Sequence, residues 1–462
     1  MMMYSELIHW TALISAAWLA YHVLKALYNI SPLHPLYKIP GPRLAAASYL
    51  NEFYHDIILG GRYTHAIKRM HEEFGPIVRI NPWEVHCNDI DFAEEIFIVG
   101  GRKRDKPMHH VWAAGIGPTN TFGAASHDLH RSRKAPLAKM FSHAMISRLE
   151  SEINGYVNRL CDKLLEESGK GSFDVTVAYS CFTSDAIFRY CFGESNGFLD
   201  QVGWEPNFRE PSLAVIKYSL LFKYFPSLMK IQQYAVWFLD YLPSDIAFIV
   251  RSLKVTIPEL AFKTKARLDA GIRFDRPTIF ETLINSDLKG EEKRLDRLVD
   301  EAVQIVTAGT ETTSWALRVI TYHLLDKPGV MERLRKELSE NVEDAKSLPA
   351  WTTLEKLPYM SAVIQEGLRL SYGVSGPIAL EAPNEDLIYR GEFNKKPVEF
   401  ILPRGSAMAM SSYIMHHDES VFPDSHSFIP ERWLVEQQQR RKGPEKGFMG
   451  FSKGPRICLG KK

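Results

Sequence analysis

Apolar positions along the chain fall into three patterns. The first is a nearly unbroken run, Leu7 to Leu24, reading LIHWTALISAAWLAYHVL. A helix that crosses a bilayer needs about 20 such residues. His9 and His22 lie near its ends, where polar groups reach the interface. The second pattern is helical spacing. Leu149 to Leu165 shows it, and Arg294 to Leu325 sustains it without a proline until Pro328. That stretch predicts a helix of about 32 residues, or roughly 48 Å, long enough to cross a whole domain. The third pattern is strand-like. Ile77-Val-Arg-Ile80 and Glu84-Val-His86 predict short strands joined at Asn81-Pro82. Gly373 to Met415 returns to strand-like pieces, punctuated by Pro377, Pro383, Pro397 and Pro403. The order predicts an α+β protein, mainly α-helical, with a small β part and an N-terminal membrane helix.

Charge around the first run sets its direction. Only Glu6 precedes it, whereas Lys25, Lys38 and Arg43 follow. The positive-inside rule then predicts a single-pass membrane protein with the rest of the chain in the cytosol. No basic residue precedes the run, which argues against a cleaved signal peptide. A buried first helix is the other reading. Lys38-Ile-Pro40-Gly-Pro42 predicts a stiff, extended segment. The expected division is an anchor at 1–28, a proline-rich hinge at 29–45 and one catalytic domain at 46–462, since no linker, repeat or low-complexity tract interrupts the remainder. Asn29-Ile-Ser31 is a glycosylation sequon, but this topology keeps it from the lumen.

Composition changes the picture little. The 462 residues are 45% hydrophobic and 24% charged, an ordinary globular balance with ample length for a large core. A net charge of +1 gives no support for binding nucleic acid. The five cysteines form no CxxC pair and their number is odd, which fits a reducing compartment better than a disulfide scaffold.

Candidate chemistry gathers in the last third. Phe451-Ser-Lys-Gly454-Pro-Arg456-Ile-Cys458-Leu-Gly460 has the residues of a loop that holds a thiolate against haem iron. Its glycines let the backbone turn so that N–H groups point at the sulfur. Those donors, with the iron, keep Cys458 deprotonated. Arg456 can meet a haem propionate as a charged fork. Inside the long helix lies Ala308-Gly309-Thr310-Glu311-Thr312-Thr313. Glycine and threonine are poor mid-helix residues. Gly309 is expected to let the helix pass close to a flat cofactor. A threonine hydroxyl can bond the carbonyl one turn back and loosen the helix. Glu311 and Thr312 then form an acid–alcohol pair that relays protons toward dioxygen. Glu366-Gly-Leu-Arg369 puts two opposite charges on one helix face, and Pro430-Glu-Arg432-Trp433 follows.

The ten-residue cysteine loop resembles the haem-binding signature of the cytochrome P450 superfamily. Three further stretches match that family in the right order, most strongly from Glu301 onward. The resemblance implies the P450 fold and a b-type haem (heme b) with Cys458 as axial iron ligand. It implies electrons from NADPH through a membrane-bound cytochrome P450 reductase. It places the chain in the endoplasmic reticulum membrane, with the catalytic domain cytosolic. Glu366, Arg369 and Arg432 would form a buried charge network that locks the haem loop. Counting back from Phe141, His130 and Lys134 take the places of the family's propionate-binding pair.

Two departures stand out. Leu380 stands where the family usually keeps an arginine for the haem, and the chain stops at Lys462, just after the loop. The expectation is a truncated chain that holds haem weakly.

Tyr63-Thr64, Gly75 to Pro82 and His416 to Asp424 look like the trichodiene-oxygenase-like group of fungal secondary metabolism. The implied activity is hydroxylation or epoxidation of an apolar terpenoid or polyketide-like skeleton. Met108 to Ser126, with Trp112 and Phe122, and Pro211 to Phe225 are the expected pocket walls. The alternatives are a catalytically impaired relic of such an enzyme and an isomerase or dehydratase on the same fold. Glu311-Thr312 speaks against the isomerase or dehydratase.

Overall fold

The protein is described from a computed structural model that covers residues 2–98, 100–113, 117–232, 234–436, 439–440 and 443–461. Two compact units emerge, Met1–Pro107 with Gly376–Ile414, and Met108–Ser375 with Met415–Lys462.

The first unit begins with helix α1 (Met2–Ile30). Its stretch Glu6–Ile30 is apolar enough to cross a membrane by length and composition. Strands β1 (Ile77–Asn81), β2 (Glu84–Cys87), β3 (Pro377–Glu381) and β6 (Ala407–Ser411) form one sheet in the order β1-β2-β6-β3. The β2–β6 pairing is parallel and the other two are antiparallel. Strands β4 (Leu387–Phe393) and β5 (Lys396–Leu402) pair as a separate hairpin. Its two-residue turn, Asn394-Lys395, has positive φ at both positions, the backbone that matches strand twist. The strands expected at Ile77, at Glu84 and between Gly373 and Met415 are therefore present.

Ahead of Pro40 the chain is wound, while Pro42 itself is extended. Residues 31–39 are wound into successive turns, with amides of His34, Tyr37 and Ile39 bonded to carbonyls three residues back. Leu36 and Ile39 are buried. The cause is Arg79, whose side chain is almost fully buried. Its guanidinium donates to the carbonyls of Asn29 (3.0 Å), Ala46 (3.4 Å) and Pro82 (2.8 Å) and to the His34 ring (3.0 Å). Its backbone amide meets Pro40 O at 2.7 Å. A cation with several carbonyl partners ties the segment to β1. Asn29 of the sequon is buried and donates to Ala47 O, so its side chain is already used.

The second unit is helical. Helices α2 (His127–Met140), α3 (Glu150–Glu167), α4 (Val175–Phe192), α5 (Arg209–Tyr224), α6 (Leu295–Asp326) and α7 (Pro358–Ser371) are its main members. Helix α6 has the predicted length of 32 residues. Its first half is buried, from Arg297 through Val306, in a core shared with Leu137, Leu160, Phe188 and Phe280. Helix α4 lies along it. Tyr179 and Thr321 share a hydrogen bond of 2.7 Å, and Thr183 Oγ1 donates to Thr310 O at 2.9 Å.

Arg79→Met keeps apolar bulk but removes the donor to those carbonyls. Hydrogen bonds from a charged group are worth about 1.5–3 kcal/mol each, so a net loss of roughly 3 kcal/mol is expected in denaturant unfolding. Cleavage within 31–42 by a protease should also accelerate. An unchanged midpoint would mean that the turns hold without the guanidinium.

Candidate functional site

Helix α7 brings the most completely bonded charges of the second unit together. Glu366 and Arg369 are both fully buried. Glu366 accepts from Arg369 Nε (2.9 Å) and Nη2 (2.8 Å), the amide of Ile429 (3.0 Å), Arg432 Nε (3.3 Å) and Trp433 Nε1 (2.9 Å). Arg369 Nη1 donates to the carbonyls of His416 (2.9 Å) and Ser425 (2.7 Å), and Nη2 also reaches Ser427 O (3.1 Å). All five guanidinium donors are thus in use. The network read from sequence is present, and it holds more members than the three motif residues.

The cysteine loop follows. Gly454 has φ +69°, a conformation that suits glycine. The amide of Cys458 donates to Phe451 O at 3.0 Å, and the Phe451 ring packs 5.9 Å from that of Phe448. The amide of Gly460 bonds the Cys458 sulfur, and the residue is exposed. Lys134, on α2, donates to Pro455 O (2.7 Å) and Ile457 O (2.9 Å). Arg456 donates to Ala124 O (2.7 Å) and Ala125 O (2.6 Å), just ahead of α2. Lys134 and Arg456 therefore brace the loop against α2, with donors that sequence assigned to propionates on loop and chain carbonyls. His130 is buried on the same helix. Burial pushes the Cys458 thiol up, opposed by the Gly460 amide and the Lys134 ammonium. Leu380 is buried in β3, paired with Met408.

On α6 Gly309 is held to its small size by α4. A Cβ there would meet Ile187 Cγ1 of α4 at 2.9 Å, so the glycine serves helix–helix packing. Ala308 and Thr312 lie on another face and are exposed, mid-way along a helix whose preceding turns are packed. Thr312 Oγ1 donates to Ala308 O at 2.9 Å, the back-bond that loosens a helix. Glu311 has its Oε2 buried without a partner among the described residues. Burial pushes its carboxyl up to about 6, with Glu210 adding and Arg209 opposing.

The expected pocket wall from Met108 to Ser126 is described except for residues 114–116, which lie outside the described residues. His109 meets Tyr224 of α5 at 5.8 Å, joining the two expected walls. Sequence gave no sign of how this wall is held. Thr121 donates through its amide and hydroxyl to Glu301, which Arg297 also meets at 2.9 Å. Arg133 chelates Glu292 and bonds Pro118 O and Asn120 O. Arg133 lies among Arg131 and Lys134, and spacing alone does not separate it from them.

An exposed cysteine with an amide donor to its sulfur, a cationic brace beside it and a small, open face on a core helix suit a haem held through thiolate in a mainly α-helical protein. The sequence matches cytochrome P450 over residues 50–462. It is 38% identical over 439 residues to cytochrome P450 monooxygenase ppzE of Metarhizium majus, covering 93% of this chain and 92% of that protein. It is 37% identical to conidiogenone synthase PchP450 of Penicillium rubens (92% and 84% covered) and 36% to tryptophan 6-hydroxylase fscE of Fusarium equiseti (92% and 82% covered). The chain belongs to the cytochrome P450 family. It is a fungal secondary-metabolism monooxygenase that oxidises a secondary-metabolite skeleton. Membership implies haem bound by a cysteine thiolate, electrons from a reductase and a small-molecule substrate.

Two measurements test these carboxylates. Glu366→Gln leaves Arg369 and Arg432 without their buried counter-charge and should cost roughly 3–5 kcal/mol in denaturant unfolding. Glu311 behaves in the opposite sense. Its folded pKa of about 6 exceeds the ordinary 4.5, so the folded chain holds the extra proton between them. The stability it contributes is complete below pH 4.5 and lost as pH rises through about 6. Allowing for partial exposure, Glu311→Gln should gain about 1–2 kcal/mol over wild type across that interval. A pH-independent difference would place the acid elsewhere.

Proposed function

We propose that this chain hydroxylates or epoxidises a bulky, largely apolar ring system, with Cys458 as the axial ligand of a b-type haem and Thr312 and Glu311 handling protons. The observation that carries the reading is Cys458, an exposed residue whose sulfur is bonded by the Gly460 amide, in the loop that carries the family signature. Haem bound there would supply dioxygen activation. The chain's residues do the rest. Lys134 and Arg456 hold the loop to α2, and either can turn a remaining donor toward a propionate. Phe451, Gly454 and His130 shape the surface beside it.

Glu311 is poised to give and regain a proton near neutrality, because burial brings its pKa close to the working range. The Thr312 hydroxyl can pass that proton on if it leaves the Ala308 carbonyl. Both residues being intact supports oxygen chemistry over isomerisation or dehydration on the same fold.

The walls at Met108–Ala113 and Arg209–Tyr224 favour large apolar substrates, and the named relatives include a conidiogenone synthase and a tryptophan 6-hydroxylase. We take 1–28 as an anchor in the endoplasmic reticulum membrane and 46–462 as the cytosolic haem-holding domain. Electrons would then come from NADPH through a membrane-bound reductase.

Expression with a reductase and NADPH tests the reading. Cys458→Ala should lose the red-shifted Soret band that marks thiolate ligation in the reduced CO complex. Thr312→Ala should keep that band but lose about 10²–10⁴-fold in product formed, with reducing equivalents diverted to peroxide. Survival of the band in Cys458→Ala would overturn the ligand, and unchanged coupling in Thr312→Ala would overturn the proton role.

A further inference from the structure

His416 lies between the charge network of α7 and the backbone that leads into the cysteine loop. It is completely buried. Its Nδ1 is 2.7 Å from Arg369 O, and its Nε2 is 2.8 Å from the amide nitrogen of Met449. A carbonyl can only accept and an amide N–H can only donate. The ring must therefore carry its proton on Nδ1 and present a lone pair at Nε2. The two contacts fix one tautomer. Burial pushes the imidazole down to about 3, so the neutral form persists at working pH.

The neighbourhood holds the ring still. Phe448 stacks on it at 5.3 Å with an interplanar angle of 8°, and Phe422 meets it edge-on at 6.1 Å. The backbone carbonyl of His416 also accepts from Arg369 Nη1 at 2.9 Å. Beyond Met449 the links continue by hydrogen bonds. Met449 O accepts from the amide of Ser452 at 2.9 Å, and Phe451 O accepts from the amide of Cys458 at 3.0 Å. Among the described residues, hydrogen bonds joined by the peptide link between Phe451 and Ser452 thus run from α7 through an imidazole to the backbone of Cys458.

We propose that His416, as its Nδ1–H tautomer, is a positioning residue for the cysteine loop. It transmits the place of the Glu366–Arg369 helix turn to the loop backbone and so sets where the Cys458 sulfur stands. The consequence for haem rests on Cys458 being its ligand; the strut itself does not. The network on α7 locks the loop through this ring, because no motif residue of that network bonds the loop between Met449 and Cys458 among the described contacts.

Two substitutions separate the halves of the strut. The side-chain amide of His416→Gln reaches the position of Nε2 and can accept from Met449. That of His416→Asn ends near Nδ1 and can bond only Arg369 O. The experiment uses the full chain with haem and reads two signals in wild type and both variants: amide hydrogen exchange across 448–458 and the reduced-CO Soret band. In His416→Asn the Met449 amide should exchange about tenfold faster, the change equal to 1.4 kcal/mol for one buried hydrogen bond. Helix α7 should stay protected, and the red-shifted fraction of the Soret band should fall. His416→Gln should restore both. Equal behaviour of the two variants, or a Met449 amide still protected in His416→Asn, would overturn the proposal. If exchange responds as expected while wild type itself lacks the red-shifted band, the strut stands and the assignment of Cys458 fails.

Discussion

The second unit depends on one buried carboxylate. Glu366 has no access to water and must find all its hydrogen bonds within the protein. It finds five donors from four residues, and they come from two separate stretches of chain, its own helix and residues 429–433. A charge so placed leaves little freedom, since moving any one stretch strips bonds from an ion that cannot be resolvated. Pairing charges in the interior is not in itself a gain over apolar packing. What it achieves here is specification. The segment carrying His416, Ser425 and Ser427 is held by the same guanidinium that neutralises Glu366. That segment in turn reaches the cysteine loop.

Helix α6 meets a different constraint, serving opposite demands on two faces. Toward α4 it must approach closely, and Gly309 leaves the space that Ile187 fills. The carbonyl of Thr310 is drawn sideways by Thr183 at the same level. On the other face Ala308 and Thr312 stay small and open, and Thr312 competes for the Ala308 carbonyl. The helix is therefore perturbed from both sides within one turn. This explains why residues of poor helical propensity stand in the middle of the longest helix of the unit. Packing on both sides of the turn supplies what propensity lacks.

Much of this was legible from sequence wherever the determinant is local. The 32-residue helix, the strand pair at Ile77 and Glu84 and the i, i+3 pairing of Glu366 with Arg369 all follow from spacing within a few turns. The cysteine loop was equally plain. The contacts that spacing did not show share one cause, which is a partner far away in sequence. Gly309 answers to Ile187, the hinge answers to Arg79, and Lys134 answers to carbonyls more than three hundred residues on. His416 was invisible as a strut because the sequence offers His416 and His417 side by side with nothing to tell them apart. Arg133 and Glu301 were missed likewise, since a salt bridge or a clamped loop leaves no periodic trace.

The two buried acids of α6 show how structure separates support from chemistry. Burial pushes both carboxyls up. Glu301 has the Thr121 amide, the Thr121 hydroxyl and Arg297 opposing that push. Each of those bonds is made to the charged form and ties a loop to the helix. Glu311 has an unpartnered Oε2, and its cation, Arg209, acts from a distance while Glu210 works against it. A fold that needed Glu311 for stability would have given it donors, as it did for Glu301 one helix face and ten residues earlier. Leaving a carboxyl desolvated and half-satisfied is a cost with no structural return. It leaves an acid that burial holds near neutrality and that no network ties down, which is what the proposed proton role would use. The same reasoning places Thr312 beside it: a hydroxyl held by one back-bond is the most easily redirected donor on that face of the helix.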